Sequence, residues 1–364
     1  MYSRSLLLGL GLLAGSVALP AQGFGAVFTT TNAAADNAVA VSLRLPNGRL
    51  FPVASVPTGG AGTGAGLGSQ GALAMSGDDQ WLLAVNAGSD EVSLFRVVHG
   101  LFPWRTDVVP SGGDTPTSVA VHDDLVYVLN AGTGNNVTGF RLQRGALRPL
   151  AGATYALSQE GAAGAQVGFD PSGRFLVVTE RATDRVDVFP VQRDGRLGAL
   201  RSHPSSGMTP FGFQFTEDGT LVVSEAAGGG AGAATVSSYR IGRDGSLTTI
   251  TASAPTMQSA ACWIAIPRGG RFAYSTNTGS STLTGFDVGR QGALTLLDGN
   301  GVTGMLAGGG RPIDADFERH GRTLFVLDSG RDEIVAFTRS GNGGLRSVPG
   351  SWSLPDGAAG VIAR

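Results

Sequence analysis

Asp170-Pro171-Ser172-Gly173-Arg174-Phe175-Leu176-Val177-Val178-Thr179-Glu180 joins a four-residue turn to an apolar strand that stops on a carboxylate. Pro and Gly at their places in 170–173 preset the dihedrals of a tight turn. The run 165–169 before it reads as an inner strand, 175–179 as a second, 185–191 as a third, and Asp194-Gly195 as the hairpin leading to a fourth strand near Leu200. Outward from this stretch the same unit recurs. Apolar strands ending in Asn, Asp or Glu lie at 27–32, 82–86, 126–130, 176–180, 221–225, 272–277 and 324–328. Their terminal polar residues, Asn32, Asn86, Asn130, Glu180, Glu225, Asn277 and Asp328, stand 54, 44, 50, 45, 52 and 51 positions apart. A near-constant step of this size marks a propeller or solenoid.

Third strands recur at 38–43, 91–97, 136–142, 235–241, 282–288 and 333–338, with the period-two alternation of a sheet. A turn or hairpin signal follows each, as at Asn47-Gly48, His99-Gly100 and Asp244-Gly245. The expected fold is all-β: a seven-bladed β-propeller with four-stranded antiparallel blades. The first repeat begins at its second strand, near Ala26, and lacks an inner strand, whereas the chain ends in 358–363, which reads like the inner strands elsewhere. The C-terminal strand therefore pairs with the N-terminal blade, closing the ring and removing its free edges.

Composition agrees with this reading. Gly makes up 58 of 364 residues and falls in the turns, and no extended helical period appears beyond the N-terminus. Residues 6–19 are apolar or small behind Arg4, and Ala21-Gln22-Gly23 offers the small residues of a peptidase site, so 1–23 reads as a secretory signal and 24–364 as one domain. Fourteen residues fall short of the roughly 20 that span a bilayer. The expected location is secreted or periplasmic, with the signal removed. One cysteine, Cys262, excludes an intramolecular disulfide. A formal charge of −2 gives no drive toward nucleic acid or anionic membrane. A monomer acting on small or neutral ligands is expected.

The repeats resemble the lactonase family of seven-bladed propellers, which includes 6-phosphogluconolactonase and carboxymuconate cyclase, over about residues 26–363; 170–180 is the best-fitting stretch. The resemblance implies hydrolysis, or formation, of a small lactone or sugar-like ester at the axial mouth, by a carboxylic ester hydrolase or a cycloisomerase. Sugar-lactone hydrolases of the family carry a Pro-x-His start on an inner strand. The matching positions here are Ala72, Ser118, Gln166, Gly212, Trp263, Asp314 and Gly360, and none is His. His99, His122, His203 and His320 fall elsewhere, so an imidazole base is not expected and a phosphorylated sugar fits poorly.

Inner strands start and second strands finish at one end of a propeller, so the polar repeat residues are expected around one mouth. The acids Glu180, Glu225 and Asp328 concentrate on one side of it. Clustered carboxylates raise one another's pKa and poise one to take a proton from water. The expected base is Glu180 or Glu225, with Arg181 or Arg311 near the carbonyl oxygen, where charge develops. Gln166, Gln214, Trp263, Asn277, Asp314 and Asp328 are candidate substrate-binding residues, with Trp263 available to stack on a flat ligand. No calcium-loop spacing is present, so neither metal nor other cofactor is expected. A non-catalytic ligand-binding or cell-surface propeller is the alternative, in which the polar ring is structural.

Overall fold

In the computed structural model, residues 23–364 are described, and they form seven antiparallel sheets; the secretory signal expected over 1–23 lies, Gly23 apart, outside the described residues. Blade 4 holds the opening stretch as inner strand Gly164–Phe169, second strand Phe175–Glu180, third Arg185–Pro190 and fourth Arg201–Pro204. Its turn is fixed by Asp170, whose carboxylate accepts the Phe175 N–H at 2.7 Å and the Ser172 N–H at 3.2 Å. Gly173 has φ +67°, and a Cβ there would lie 2.3 Å from the His122 ring of the preceding blade. Leu176, Val177 and Val178 have no exposed surface, because a second strand is covered on both faces by the neighbouring blades. Strands buried on both faces read as unbroken apolar runs rather than alternations.

The other blades repeat this order, with two departures. In blade 6 the fourth strand is split into Leu294–Leu296 and Gly304–Met305, both paired to the third strand Thr282–Val288. The intervening Asp298-Gly299-Asn300-Gly301 carries the turn chemistry that interrupts it. In blade 2 the inner strand is reduced to Leu73–Met75.

Blade 1 is built as expected from both ends of the chain. Ala359–Ala363 is its inner strand and pairs with Gly25–Thr30, aligning Val27 with Ala363 and Phe28 with Ile362. The threonines reinforce the seam: the Thr30 hydroxyl donates to the Ala359 carbonyl at 2.9 Å. Arg364 adds a clasp, meeting Asp79 of blade 2 at 2.8 Å and Asp316 of blade 7 at 3.6 Å.

Apolar layers between neighbouring blades form the core, as where Val222 of blade 5 meets Ile264, Ala273 and Phe286 of blade 6. Buried hydroxyls cross these layers to the next hairpin: Tyr127 donates to the Gly195 carbonyl at 2.9 Å and Tyr274 to that of Gly343 at 2.6 Å. Deleting residues 358–364 leaves Gly25–Thr30 with an unpaired edge and opens the layers between blades 7, 1 and 2. The shortened chain should lose cooperative thermal unfolding and bind a hydrophobic dye, which calorimetry and fluorescence will read.

Candidate active site at the plugged mouth

The seven polar strand ends do lie at the mouth end, but they are turned into the protein. Asn32, Asn86, Asn130, Glu180, Glu225, Asn277 and Asp328 are each at most 1% exposed. Their side chains bind within and between blades. Glu180 accepts the Ser158 N–H at 2.8 Å and its hydroxyl at 2.6 Å, from the connection leaving blade 3. Glu225 accepts the Gly207 N–H at 2.8 Å, the Ser205 hydroxyl at 3.1 Å and the Ser237 hydroxyl at 2.6 Å. Asp328 accepts the Arg311 N–H at 2.6 Å, and Asn277 donates to Thr284 at 2.8 Å. A carboxylate with no exposed surface and several donors already bound is placed to tie blades together, not to take a proton from a substrate water. This corrects the expectation of Glu180 or Glu225 as base, and of Asn277 and Asp328 as groups that touch a ligand.

Glu180 has a second carboxyl beside it, Asp187 on the third strand, which the sequence reading passed over. Burial, opposed and outweighed by hydrogen bonds from Asp187, Ser158 and Thr183, leaves Glu180 below the usual carboxylate range. Burial and the neighbouring Glu180 push Asp187 up to about 8. The pair shares one proton at neutral pH.

The pore is not open. The connection from blade 1 to blade 2 enters it, and Ser69 and Gln70 touch four inner strands. The Ser69 hydroxyl donates to the Thr117 carbonyl of blade 3 at 2.8 Å, and the Gln70 N–H to that of Ala165 in blade 4 at 3.1 Å. The Gln70 amide then clamps Ile264 of blade 6, donating to its carbonyl at 2.8 Å and accepting its N–H at 3.2 Å. The Trp263 indole N–H donates to the Ser69 carbonyl at 2.9 Å. Gly212 makes room in blade 5: a Cβ there would lie 2.1 Å from the Gln70 amide oxygen. Trp263 is thus 5% exposed, packed on Phe211 at 4.9 Å, and serves as an anchor for the plug rather than an open stacking platform.

The plug divides the axis into two chambers. Below it, Gln166, Gln214, Asp314, Asp316 and Arg364 line a cavity of about 230 Å³. There the two glutamines bridge inner strands, Gln166 accepting the Phe213 N–H at 2.6 Å and Gln214 that of Ile266 at 2.7 Å. Above it, a pocket of about 430 Å³ lies toward blades 6, 7 and 1, lined by Leu67, Trp263, Ile313 and Ala359 with Arg311, Asp314, Ser329 and Asp356. Arg311 is exposed and has no ion-pair partner among the described residues. Arg181 stands on the far flank of the plug, its guanidinium 5.3 Å above the Phe211 ring and its Nε donating to the Ala163 carbonyl at 3.2 Å.

Asp314 belongs to both chambers. It is 4% exposed and its Oδ1 accepts the Ala315 N–H at 2.8 Å, with no cation paired to it. Burial raises its pKa well above the usual value, and Asp316 raises it further. Partial burial, opposed by Arg364, pushes Asp316 up to about 6. A β-bulge at the start of the inner strands, between Pro312 and Asp314 in blade 7 and between Gly164 and Gln166 in blade 4, re-aims the next side chain. Cys262 borders the upper pocket, but burial pushes its thiol up to about 11, which disfavours the thiolate. No cluster of three metal-ligating side chains occurs among the described residues.

The chain matches the family described as "Lactonase, 7-bladed beta-propeller" over residues 73–228 and 225–360. It belongs to that family. No curated protein matches it. Among solved structures, a Bacteroides fragilis protein provisionally described as a 6-phosphogluconolactonase is 18% identical, with a TM-score of 0.75 over 94% of this chain and 98% of its own. A Bacteroides uniformis protein of the same provisional description is also 18% identical, with a TM-score of 0.76 over 94% and 99%. The periplasmic gluconolactonase of Pseudomonas aeruginosa is 17% identical, with a TM-score of 0.73 over 93% and 98%. At these identities the likeness is one of fold. Among the described residues, no helix is long and apolar enough to cross a membrane.

Two measurements follow from this geometry. Gln70→Ala removes both partners of the Ile264 backbone and should lower stability by about 2–4 kcal/mol, read by denaturant unfolding, while Gly212→Leu should disrupt the plug by collision. Asp187, with its folded pKa raised, contributes stability that is full below about pH 4 and is lost as pH rises through about 8. Asp187→Asn keeps a donor toward Glu180, so melting temperatures taken across that window should show a shallower decline than wild type.

Proposed function

We propose that the protein is an exported, monomeric lactonase that opens a small unphosphorylated lactone in the pocket above the plug, with Asp314 as base and Arg311 as the cation at the carbonyl oxygen. The single observation that carries this reading is a buried, cation-free carboxyl in the floor of a pocket that also holds an unpaired guanidinium. Family membership supplies the reaction class. The apolar side of the pocket, Leu67, Ile313 and Ala359, suits the carbon face of a ring, and one free arginine suits a carbonyl better than a phosphate dianion.

The chemistry balances on these groups. Ionised Asp314 takes a proton from water as the water oxygen bonds to the lactone carbonyl carbon, and the carbonyl electron pair moves onto the oxygen beside Arg311. When the tetrahedral adduct collapses, the ring C–O bond breaks and the departing alkoxide takes the proton back from Asp314. The product is the open hydroxy acid. Arg181, anchored over Phe211 across the plug, adds positive potential without touching the substrate.

Because burial raises the Asp314 pKa above the usual carboxylate range, activity should rise with pH as that carboxyl ionises. Proton release above the spontaneous background, measured on gluconolactone, muconolactone and 6-phosphogluconolactone, is the test. Unphosphorylated lactones should be favoured. Asp314→Asn should lower kcat by roughly 10²- to 10⁴-fold, and Arg311→Gln by roughly 10²-fold, whereas Glu225→Gln should act on stability. Silence across the panel would overturn the proposal in favour of a ligand-binding propeller.

A further inference from the structure

Among the described residues, the Phe and Trp side chains open to solvent are Phe24, Phe51, Phe102 and Trp104, with Phe51 at 61% and Trp104 at 73%. All four belong to blades 1 and 2, toward the end away from the mouth. Phe24 precedes the strand Gly25–Thr30. Phe51 is second in the fourth strand Leu50–Pro57, and Phe102 opens the fourth strand Phe102–Pro110, with Trp104 two residues on. Fourth strands form the outer edge of the ring, so the aromatic side chains share one lower corner of the disc. Large apolar groups gathered in water at one place mark a contact surface.

Arginines flank this corner. Arg49 ends the blade 1 hairpin and leans onto blade 7, where a Cβ on Gly350 would lie 3.9 Å from its Nε. Arg346 takes in blade 7 the place that Phe51 has in blade 1, second in the fourth strand Leu345–Ser353, and Arg322 immediately precedes the second strand Thr323–Asp328. All three are exposed, and none has a carboxylate within ion-pair distance among the described residues. The acids of the sector are few and engaged. Glu318 is buried and accepts the His320 and Arg322 N–H groups at 2.9 and 2.7 Å, Asp79 pairs with Arg319 and Arg364, and the exposed Asp78 accepts the Ser76 hydroxyl at 2.6 Å and the Gln80 N–H at 3.0 Å. The mouth end is the reverse, with Asp36, Asp90, Asp114 and Asp184 exposed on its loops. A net charge of −2 thus conceals a cationic, aromatic corner facing away from an acidic rim.

The same strands show what fits there. Pro52 and Pro57 on one edge strand, and Pro103 and Pro110 on the other, remove backbone donors that a second copy would need for strand pairing, and a symmetric contact would set arginine against arginine. Aromatic rings beside guanidiniums on an outer edge suit the headgroup layer of a bilayer instead, where the rings meet its partly apolar depth and the guanidiniums bind phosphates. We infer that the lower outer edge of blades 7, 1 and 2 docks on an anionic phospholipid surface, with Phe51, Phe102 and Trp104 entering the headgroup layer and Arg49, Arg322 and Arg346 on its phosphates. The contact is peripheral and leaves the mouth facing water. It shares no residue with the mouth pocket, so the inference stands apart from lactone hydrolysis.

Co-sedimentation with vesicles tests it, using the chain from Gly23 onward, which contains the complete ring. Phosphatidylcholine vesicles carrying about 30% phosphatidylglycerol should bind the protein at least tenfold more tightly than phosphatidylcholine alone, with affinity falling as salt rises. The double variant Arg322→Gln/Arg346→Gln should weaken that binding by roughly tenfold or more, and Phe51→Ser should weaken it several-fold. Binding should shift tryptophan emission to the blue, and Trp104→Phe should abolish the shift. Arg243→Gln/Arg290→Gln, on the hairpins of blades 5 and 6, should bind like wild type. Circular dichroism of each variant should match wild type, since these side chains lie outside the core. Equal binding to both vesicles, release by glycerol phosphate at the same phosphate concentration, an equal loss in the blade 5 and 6 pair, or a dimer in place of vesicle binding would overturn the inference.

Discussion

Antiparallel pairing of Ala359–Ala363 with Gly25–Thr30 is the contact on which the remaining structure depends. Seven twisted sheets packed face to face enclose an axis only when the last finds the first. Before that happens, the apolar faces of blades 7 and 1 and two rows of backbone donors and acceptors stand open to water. Without disulfides, the seam relies on the hydrogen-bond ladder, the threonine hydroxyls and the Arg364 clasp. The clasp reaches blade 2 on one side and blade 7 on the other, so the chain terminus holds three consecutive blades together.

Closure creates a pore, and this chain then fills it. A propeller axis brings inner strands together at a distance one loop can bridge, and Ser69 and Gln70 make that bridge to blades 3, 4 and 6. The plug costs the freedom of a Gly-rich connection and satisfies the backbone of an inner strand in return. It also separates an upper pocket from a lower cavity, with Asp314 lining both. Burial without a counter-cation is what raises its proton affinity, and a carboxyl poised in this way is suited to proton transfer.

The polar repeat positions show how one pattern supports two interpretations. Glu180, Glu225 and Asp328 each fix the connection arriving from the preceding blade by accepting its backbone and hydroxyl donors, whereas Asn130 donates to a carbonyl of that connection and Asn277 donates to hydroxyls of its own blade. The repeat was legible, but its direction was not, since a strand residue points to one face or the other according to bulges and local twist. Among the candidates, Trp263, Asp314 and Arg311 line the upper pocket, and Gln166, Gln214 and Asp314 line the lower cavity. Asp187 and Gln70 carried no signal: one is an ordinary third-strand Asp and the other sits in a Gly- and Ala-rich linker.

Architecture, blade order and ring closure were thus determined by the sequence itself, because period-two strands, turn residues and a regular step are local features, and a chain missing one inner strand at the start and carrying one at the end has a single way to close. What only the tertiary structure decided was which polar groups meet solvent. Whether a carboxylate is spent on a neighbouring blade or left facing a pocket depends on donors contributed from residues tens of positions away, as Ser158 is for Glu180, and the plug brings Gln70 to Ile264 across 194 residues. Contacts of that range follow from the closed ring and have no local counterpart in the chain.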